Sequence, residues 1–235
     1  MHRPILPASL FKVLALALVI VVTALAQARA DTYPGPALVF NAETGEVLAA
    51  ERAFDPWYPA STTKLMTIFL AFEAVRSGAL TFDAPVTVSQ NAASEPPSRS
   101  GLRVGTQLRL QAALEMLMVK SANDIAVAVA EAVGGSEAAF VRMMNEAAAR
   151  LGMTSSRFVN PHGLPDDRQV TTAHDLGLLA RRLWLDFPEW RGFFSITSVT
   201  LGNHHWRNHN LLITRYPGAI GFKTGFICAS GFNLV

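Results

Sequence analysis

Apolar and polar positions along the chain predict strands first, then helices, and then strands again. The apolar stretches 36–40 and 47–50 flank a turn-rich segment, 41–46, and this arrangement predicts a β-hairpin. From Leu65 to near Gly78 the apolar positions form the buried stripe of a helix. A short strand at 86–88 and a loop at 94–101, rich in proline and serine, are expected to follow.

The middle of the chain has helical periodicity in four places. Leucine and methionine recur at helical spacing over 108–119, a stripe that is typical of core packing and not of a cofactor site. A helix over 124–132 is stopped by a Gly-Gly pair. Ser136 caps the next helix, which reaches about residue 151. The sequence T-A-H-D at 172–175 has the spacing of a capped start for the fourth helix.

Beyond Pro188 the pattern predicts strands at 194–201, 213–227 and 229–235, with an Asn/His-rich turn between the first two. We therefore predict an α/β (α+β) fold. Its antiparallel sheet is built from regions 35–80 and 192–235 and flanked by helices, with a mostly helical subdomain at about 81–191 inserted. Since residue 235 falls inside a predicted strand, we also expect the C-terminal end of the domain to be missing.

Composition and charge narrow the choice of function. Residues 1–30 have a basic start, an apolar run and an A-x-A sequence, which predict a secretory signal peptide; an uncleaved membrane anchor is the alternative. Removing them changes the formal charge from +2 to −1. The remaining Lys and Arg residues are scattered, which argues against nucleic-acid binding. Cys228 is the only cysteine of the sequence, so the fold is expected to be held by its core and not by internal disulfides. We expect Cys228 to be a small strand residue, with a reactive thiol as the alternative.

Ser61 and Lys64 are the strongest candidates for chemistry. They are three residues apart at the start of a predicted helix, so one turn brings them onto the same face. A serine hydroxyl needs a neighbouring base, and a lysine can act as that base once it is neutral. The S-x-x-K pattern is common by chance, and Ser9 begins a second copy in this sequence. That copy lies in the predicted signal peptide, whereas Ser61 opens a helix of the folded region.

Two further motifs stand where they could serve Ser61. Residues 121–123 (SAN) fall at a break between two predicted helices, and residues 223–225 (KTG) fall in a C-terminal strand. S-x-N occurs a second time, beginning at Ser89, but K-T-G occurs once.

Together these motifs resemble the low-molecular-mass D-alanyl-D-alanine carboxypeptidases, the penicillin-binding serine DD-peptidases. The resemblance spreads over most of residues 35–235. The matching segments are 42–46 (AETGE), 59–67 (PASTTKLMT), 121–124 (SAND), 160–165 (NPHGLP), 171–175 (TTAHD), 221–226 (GFKTGF) and 229–235 (ASGFNLV). The family more often has arginine where this chain has His174.

The resemblance implies that Ser61 forms an acyl-enzyme with the carbonyl between two D-alanines and that Lys64 is the general base for acylation. Ser121 would relay a proton to the leaving amine, and Asn123 would hold the substrate amide. Lys223 would lower the pKa of Lys64 and attract the terminal carboxylate of the substrate.

The same resemblance places the strand residues Thr224, Gly225 and Phe226 along the substrate. Thr224 would bind the terminal carboxylate, and the strand itself could pair with the peptide backbone. The N–H groups of Ser61 and Phe226 would form the oxyanion hole.

No glutamate of the chain stands in the E-x-x-L-N pattern that class A β-lactamases use for deacylation. We therefore expect β-lactam antibiotics to be covalent inhibitors that leave Ser61 slowly. The expected partner is the peptidoglycan stem peptide, and the expected location is the periplasm or the outer face of the cytoplasmic membrane. Peripheral membrane contact through a missing C-terminal part is also implied. A D,D-endopeptidase and a non-catalytic cell-wall binding module remain alternatives.

No cofactor and no metal are predicted. His205 and His209 have the four-residue spacing of a helical metal site, but the asparagines around them favour a turn. His162 is interpreted as a loop residue that holds the helical insertion near the site, with substrate contact as the alternative.

Overall fold

The computed structural model describes residues 35–235, so the predicted signal peptide at 1–30 lies outside the described residues. The described strands are β1 Ala37–Phe40, β2 Val47–Glu51, β3 Pro85–Thr87, β4 Gln107–Arg109, β5 Ser198–Leu201, β6 His204–Arg207, β7 Thr224–Ile227 and β8 Gly231–Leu234. The described α-helices are α1 Lys64–Arg76, α2 Gln90–Ser94, α3 Leu110–Val119, α4 Asn123–Gly134, α5 Glu137–Leu151, α6 Ala173–Asp186 and α7 Leu212–Arg215. Two 3₁₀ segments, Ala60–Thr63 and Pro188–Ser195, complete the described elements.

The predicted α/β class is confirmed, with strands near both ends of the described chain and helices between them. The strands of residues 35–235 form four separate antiparallel pairs and not the single sheet that we predicted. β1 pairs with β2, β3 with β4, β5 with β6 and β7 with β8, and within residues 35–235 ladder hydrogen bonds do not join one pair to another. β7 and β8 instead pack against the 3₁₀ segment Ala60–Thr63.

The helix caps form as the sequence predicts. The Ser136 hydroxyl accepts a hydrogen bond from the Ala139 N–H at 3.2 Å, which starts α5. Gly152 ends the same helix in the left-handed region. The Thr172 hydroxyl accepts from the Asp175 N–H at 3.0 Å at the start of α6. These side chains satisfy backbone groups that a helix end leaves without partners.

Several predicted boundaries are wrong. Residues 107–109 pair with 85–87 as a strand, so α3 begins at Leu110 and not at 108. Residues 204–207 form β6 where we predicted a turn. The turn lies at 208–210, where the Asn208 side chain donates to the Ile196 carbonyl and accepts from the Asn210 main-chain N–H.

The predicted strand 213–227 is also wrong over most of its length. Residues 212–215 are helical, Pro217 provides no N–H for a ladder, and only Thr224–Ile227 is extended in a pair. Cys228 lies exposed in the turn between β7 and β8, not in a strand as predicted.

The core is built around α1, which is buried from Lys64 to Phe72 and packs against α4, α5 and α6. Phe72 is fully buried, and its ring contacts five others: Phe82, Phe187, Trp190, Phe193 and Phe194. Because this helix is held on several sides, its first turn is a rigid platform for a functional site. Among the described helices, none has the length and apolar character needed to cross a membrane.

Candidate active site

Ser61 and Lys64 meet where the 3₁₀ segment Ala60–Thr63 passes into α1. The Lys64 Nζ lies 3.0 Å from the Ser61 Oγ, as the i, i+3 spacing predicts. Ser61 lies half-buried at the mouth of a cleft, whereas Lys64 is fully buried beneath it. The motif therefore presents a reachable hydroxyl beside an amine that is shielded from bulk water.

Two other groups hold the amine. Lys64 Nζ donates to the side-chain Oδ1 of Asn123 at 2.8 Å and to the main-chain carbonyl oxygen of His162 at 2.6 Å. A neutral amine has two N–H bonds and one lone pair. If the two N–H groups serve these oxygens, the lone pair faces the Ser61 hydroxyl.

Electrostatics favour the neutral amine. Burial lowers the pKa of Lys64 well below its usual value, and the charge of Lys223 lowers it further. The carboxylates of Asp124 and Glu95 act in the opposite direction but more weakly. Desolvation and a second cation are the two effects that turn a lysine into a base near neutral pH.

The second motif lies on the other side of the cleft. Ser121 has a left-handed φ of 58°, and its buried hydroxyl makes no hydrogen bond to any described residue. The Asn123 side chain donates to the Pro96 carbonyl at 2.9 Å and accepts from Lys64 at the same time. Asn123 is thus held by both ends of its amide.

The K-T-G segment, residues 223–225, lies on the third side of the cleft. A Cβ placed on Gly225 would lie 2.8 Å from the main-chain nitrogen of Ser61, so only glycine lets β7 approach the nucleophile this closely. Lys223 is buried, and burial lowers its pKa to about 7. Its ammonium donates to the Thr224 carbonyl at 2.8 Å, and its main-chain N–H and C=O pair with Val235.

The structure brings the predicted site residues together. Six of the eight line one cleft of about 390 Å³, and these are Ser61, Ser121, Asn123, Thr224, Gly225 and Phe226. Lys64 and Lys223, the other two, are buried next to Ser61 and Thr224, respectively.

Sequence reasoning missed several residues of this site. Gly163, Leu164 and His209 also line the cleft. His162, interpreted from the sequence as a loop residue that holds the helical insertion near the site, is buried, and its carbonyl accepts a hydrogen bond from Lys64. The segment 160–165 was singled out by motif, yet nothing local in it indicates contact with a lysine 98 residues away.

From its position in the sequence, Asp124 is expected only to favour the start of a helix. In the structure its side chain also holds a loop. Its buried carboxylate accepts hydrogen bonds from the Ser100 N–H and hydroxyl, which fixes the end of the loop that reaches Asn123.

Curated proteins similar to this chain come from bacteria. The chain is 33% identical over 194 residues to D-alanyl-D-alanine carboxypeptidase DacF of Bacillus subtilis, an alignment that covers 81% of this chain and 50% of that protein. It is 35% identical over 212 residues to a D-alanyl-D-alanine endopeptidase of Pseudomonas aeruginosa, with 86% and 66% covered. The chain thus spans about half the length of the carboxypeptidase.

A solved structure with the same fold is that of penicillin binding protein 5 from Haemophilus influenzae. The two share 28% sequence identity at a TM-score of 0.82, with 88% of this chain and 62% of that chain covered. The sequence profile of the D-alanyl-D-alanine carboxypeptidase family, peptidase S11, matches residues 20–235. The fold, the cleft and these matches together establish that the chain belongs to the D-alanyl-D-alanine carboxypeptidase family.

Proposed function

We propose that this protein is a serine-type D-Ala-D-Ala carboxypeptidase that removes the terminal D-alanine from peptidoglycan stem peptides. One observation carries the proposal most directly: a desolvated lysine amine lies 3.0 Å from the Ser61 hydroxyl, in a cleft walled by the K-T-G strand. A serine paired with a neutral base is the arrangement that acyl transfer requires.

In the first half of the reaction, the Ser61 oxygen attacks the carbonyl carbon of the penultimate D-alanine while Lys64 takes the hydroxyl proton. The C–N bond then breaks, and the leaving amine receives a proton through Ser121, so D-alanine departs as a neutral amine. Water then attacks the ester carbon and gives up a proton to Lys64; the C–O bond to Ser61 breaks, the Ser61 oxygen takes that proton back from Lys64, and the shortened peptide is released.

The remaining residues position the substrate. Asn123 holds the substrate amide, and Lys223 and Thr224 bind the terminal carboxylate. The N–H groups of Ser61 and Phe226 stabilise the negative oxygen of the tetrahedral intermediate, which is worth roughly 3 kcal/mol for each donor. The closeness of β7 to Ser61 at Gly225 supports this placement, because it brings the two parts of the oxyanion hole to one point.

The proposal also covers inhibitors and location. β-Lactams acylate Ser61 and leave it slowly, in keeping with the penicillin-binding protein that shares the fold.

Action on peptidoglycan requires export, so we propose that residues 1–30 are a signal peptide and 31–235 belong to the catalytic domain. The enzyme then works in the periplasm or at the outer face of the cytoplasmic membrane, in cell-wall remodelling that affects cell shape.

The second candidate is a D,D-endopeptidase that cuts cross-links between stem peptides, as the name of the Pseudomonas relative indicates for that protein. The test is to incubate the protein with a synthetic tripeptide ending in D-Ala-D-Ala and, separately, with a cross-linked dimer. Free D-alanine from the tripeptide, absent with Ser61→Ala, is the expected result. Cleavage of the dimer alone would favour the endopeptidase, and cleavage of neither would refute both.

A further inference from the structure

The loop at 95–98 contacts both groups that hold the Lys64 amine. The Glu95 Oε2 lies 3.2 Å from the Nε2 of His162, whose carbonyl accepts from Lys64. The next residue, Pro96, accepts from the Asn123 amide, whose oxygen also accepts from Lys64. Two consecutive residues of one loop are therefore each a single contact away from a group that orients the base.

The His162 ring has a defined proton position. Its Nδ1 lies 3.1 Å from the Leu164 main-chain N–H, which can only donate, so Nδ1 carries the lone pair. Burial and the charge of Lys64 lower the pKa of His162 to about 3, so the ring is neutral. A neutral ring with its lone pair on Nδ1 has its proton on Nε2, and Nε2 lies 3.2 Å from the Oε2 of Glu95.

The ring is thus held at both nitrogens, by the hydrogen bond from the Leu164 N–H to Nδ1 and by the 3.2 Å contact of Nε2 with the Glu95 carboxylate. Its side chain is 5% exposed and that of Glu95 is 17% exposed, so water competes little for the contact. Burial raises the pKa of Glu95, and the carboxylates of Glu137 and Asp124 raise it further, while Lys64 lowers it.

A metal ion is the rival interpretation of the same cluster. Glu95, Glu137 and His162 each offer a ligand atom within 4.8 Å of the others. A metal would need the lone pair of Nε2, however, and the Leu164 N–H keeps the lone pair on Nδ1. The hydrogen-bonding pattern therefore favours a His–Glu contact over metal binding.

We propose that Glu95 is a positioning residue for Lys64: by holding the His162 ring, it fixes the carbonyl that accepts from Lys64 Nζ and so directs the amine at Ser61. This inference rests on the proposed function, in which Lys64 is the base. The chain of contacts is Glu95 to the His162 ring, the His162 carbonyl to Lys64, and Lys64 to Ser61, with heavy-atom distances of 3.2, 2.6 and 3.0 Å.

The test is a double-mutant cycle on the rate of acylation by a fluorescent penicillin, measured across pH. Glu95→Ala removes the acceptor, and we expect acylation about tenfold slower even at high pH, as for other losses of a residue that orients a reacting group. Glu95→Gln keeps an acceptor for Nε2–H and should restore the high-pH rate. In a His162→Ala background, Glu95→Ala should have little further effect, because the residue it acts through is gone.

The pH profile separates positioning from a loss of folding. The charges that face Lys64 are Lys223, Asp124 and Glu95, and the Glu95 carboxylate favours the protonated amine. Both Glu95 variants should therefore move the rise of acylation with pH to lower pH, whereas a general loss of folded protein would leave its midpoint in place. Glu131→Gln is the matched control, since this carboxylate accepts from Asn91 on the neighbouring helix and should leave rate and midpoint unchanged.

Several results would overturn the proposal. The first is an acylation rate of Glu95→Ala within twofold of the wild-type rate. The second is that the effects of Glu95→Ala and His162→Ala on this rate add up in the double mutant. The third is that Glu95→Gln is acylated as slowly as Glu95→Ala. A Zn²⁺-dependent rise in melting temperature that Glu95→Ala abolishes would assign the cluster to a metal instead.

An unreactive wild type would refute the proposed function, and ¹⁵N NMR of the His162 ring would then still decide the inference. We expect a proton on Nε2 whose signal shifts in Glu95→Ala. A proton on Nδ1, or a signal indifferent to Glu95→Ala, would contradict the contact.

Discussion

Adding one methyl group at Gly163 should both destabilise the protein and slow acylation of Ser61. Gly163 has a φ of +90°, and a Cβ there would lie 1.8 Å from the carbonyl oxygen of Ala60, the residue before the nucleophile. The left-handed conformation costs an alanine about 1–2 kcal/mol. Relieving the clash requires the Ala60 carbonyl to move by about 1.6 Å to reach an ordinary contact of 3.4 Å, and overpacking of this kind costs about 1–3 kcal/mol.

The expected total for Gly163→Ala is therefore about 2–5 kcal/mol in the free energy of unfolding. Because the displaced carbonyl is bonded directly to Ser61, we also expect acylation to slow on the order of 100-fold, the effect of a misplacement of about 1 Å. Urea denaturation measures the first quantity, and the rate of labelling by a fluorescent penicillin measures the second.

Gly152→Ala is the matched control. Gly152 has a similar φ of +78°, but a Cβ there meets only Leu178, at 4.0 Å. It should lose about 1–2 kcal/mol from backbone strain alone and acylate at the wild-type rate. Equal losses of stability and equal acylation rates in the two variants would refute the packing of Gly163 against the nucleophile turn.

Three further predictions concern the core, a helix cap and the carboxylate site. Phe72→Ala should lower the free energy of unfolding by about 3–5 kcal/mol, because Phe72 is fully buried among five rings; a loss below 1 kcal/mol in urea denaturation would contradict that packing. Thr172→Ala should cost about 1 kcal/mol through the lost cap of α6, with Thr172→Ser as the variant that restores it. The pKa of Lys223 is about 7, so binding of a substrate carboxylate should weaken as pH rises through 7 and the ammonium loses its charge. Lys223→Arg stays charged and should remove that pH dependence of KM; an unchanged profile would count against Lys223 as the carboxylate site.

Local features of the sequence were sufficient to predict the capped helix starts at Ser136 and Thr172 and the nucleophile pair. Ser136 and Thr172 cap helices through bonds to residues three positions away, and Ser61 meets Lys64 over the same distance. Such contacts depend on backbone geometry within one turn, which the sequence pattern reports directly. The resemblance then supplied Ser121 and Lys223, which no local rule connects to Ser61.

Contacts between segments that are far apart in the sequence could not be predicted from such local features. Glu95 meets His162 across 67 positions, and Gly163 packs on Ala60 across 103, so neither contact leaves a periodic signal in the sequence. The strand at 204–207 was missed because its His-rich sequence suits a turn, and pairing with β5 overrode that preference. Tertiary packing, not local propensity, decided these positions.

The central claim is that Ser61 is a nucleophile activated by Lys64, and intact mass after incubation with benzylpenicillin tests it most directly. The account predicts one stable adduct of a whole penicillin molecule on the wild-type protein and none on Ser61→Ala, with circular dichroism confirming that both are folded. An adduct that persists in Ser61→Ala, or a folded wild type that forms no adduct, would contradict the account.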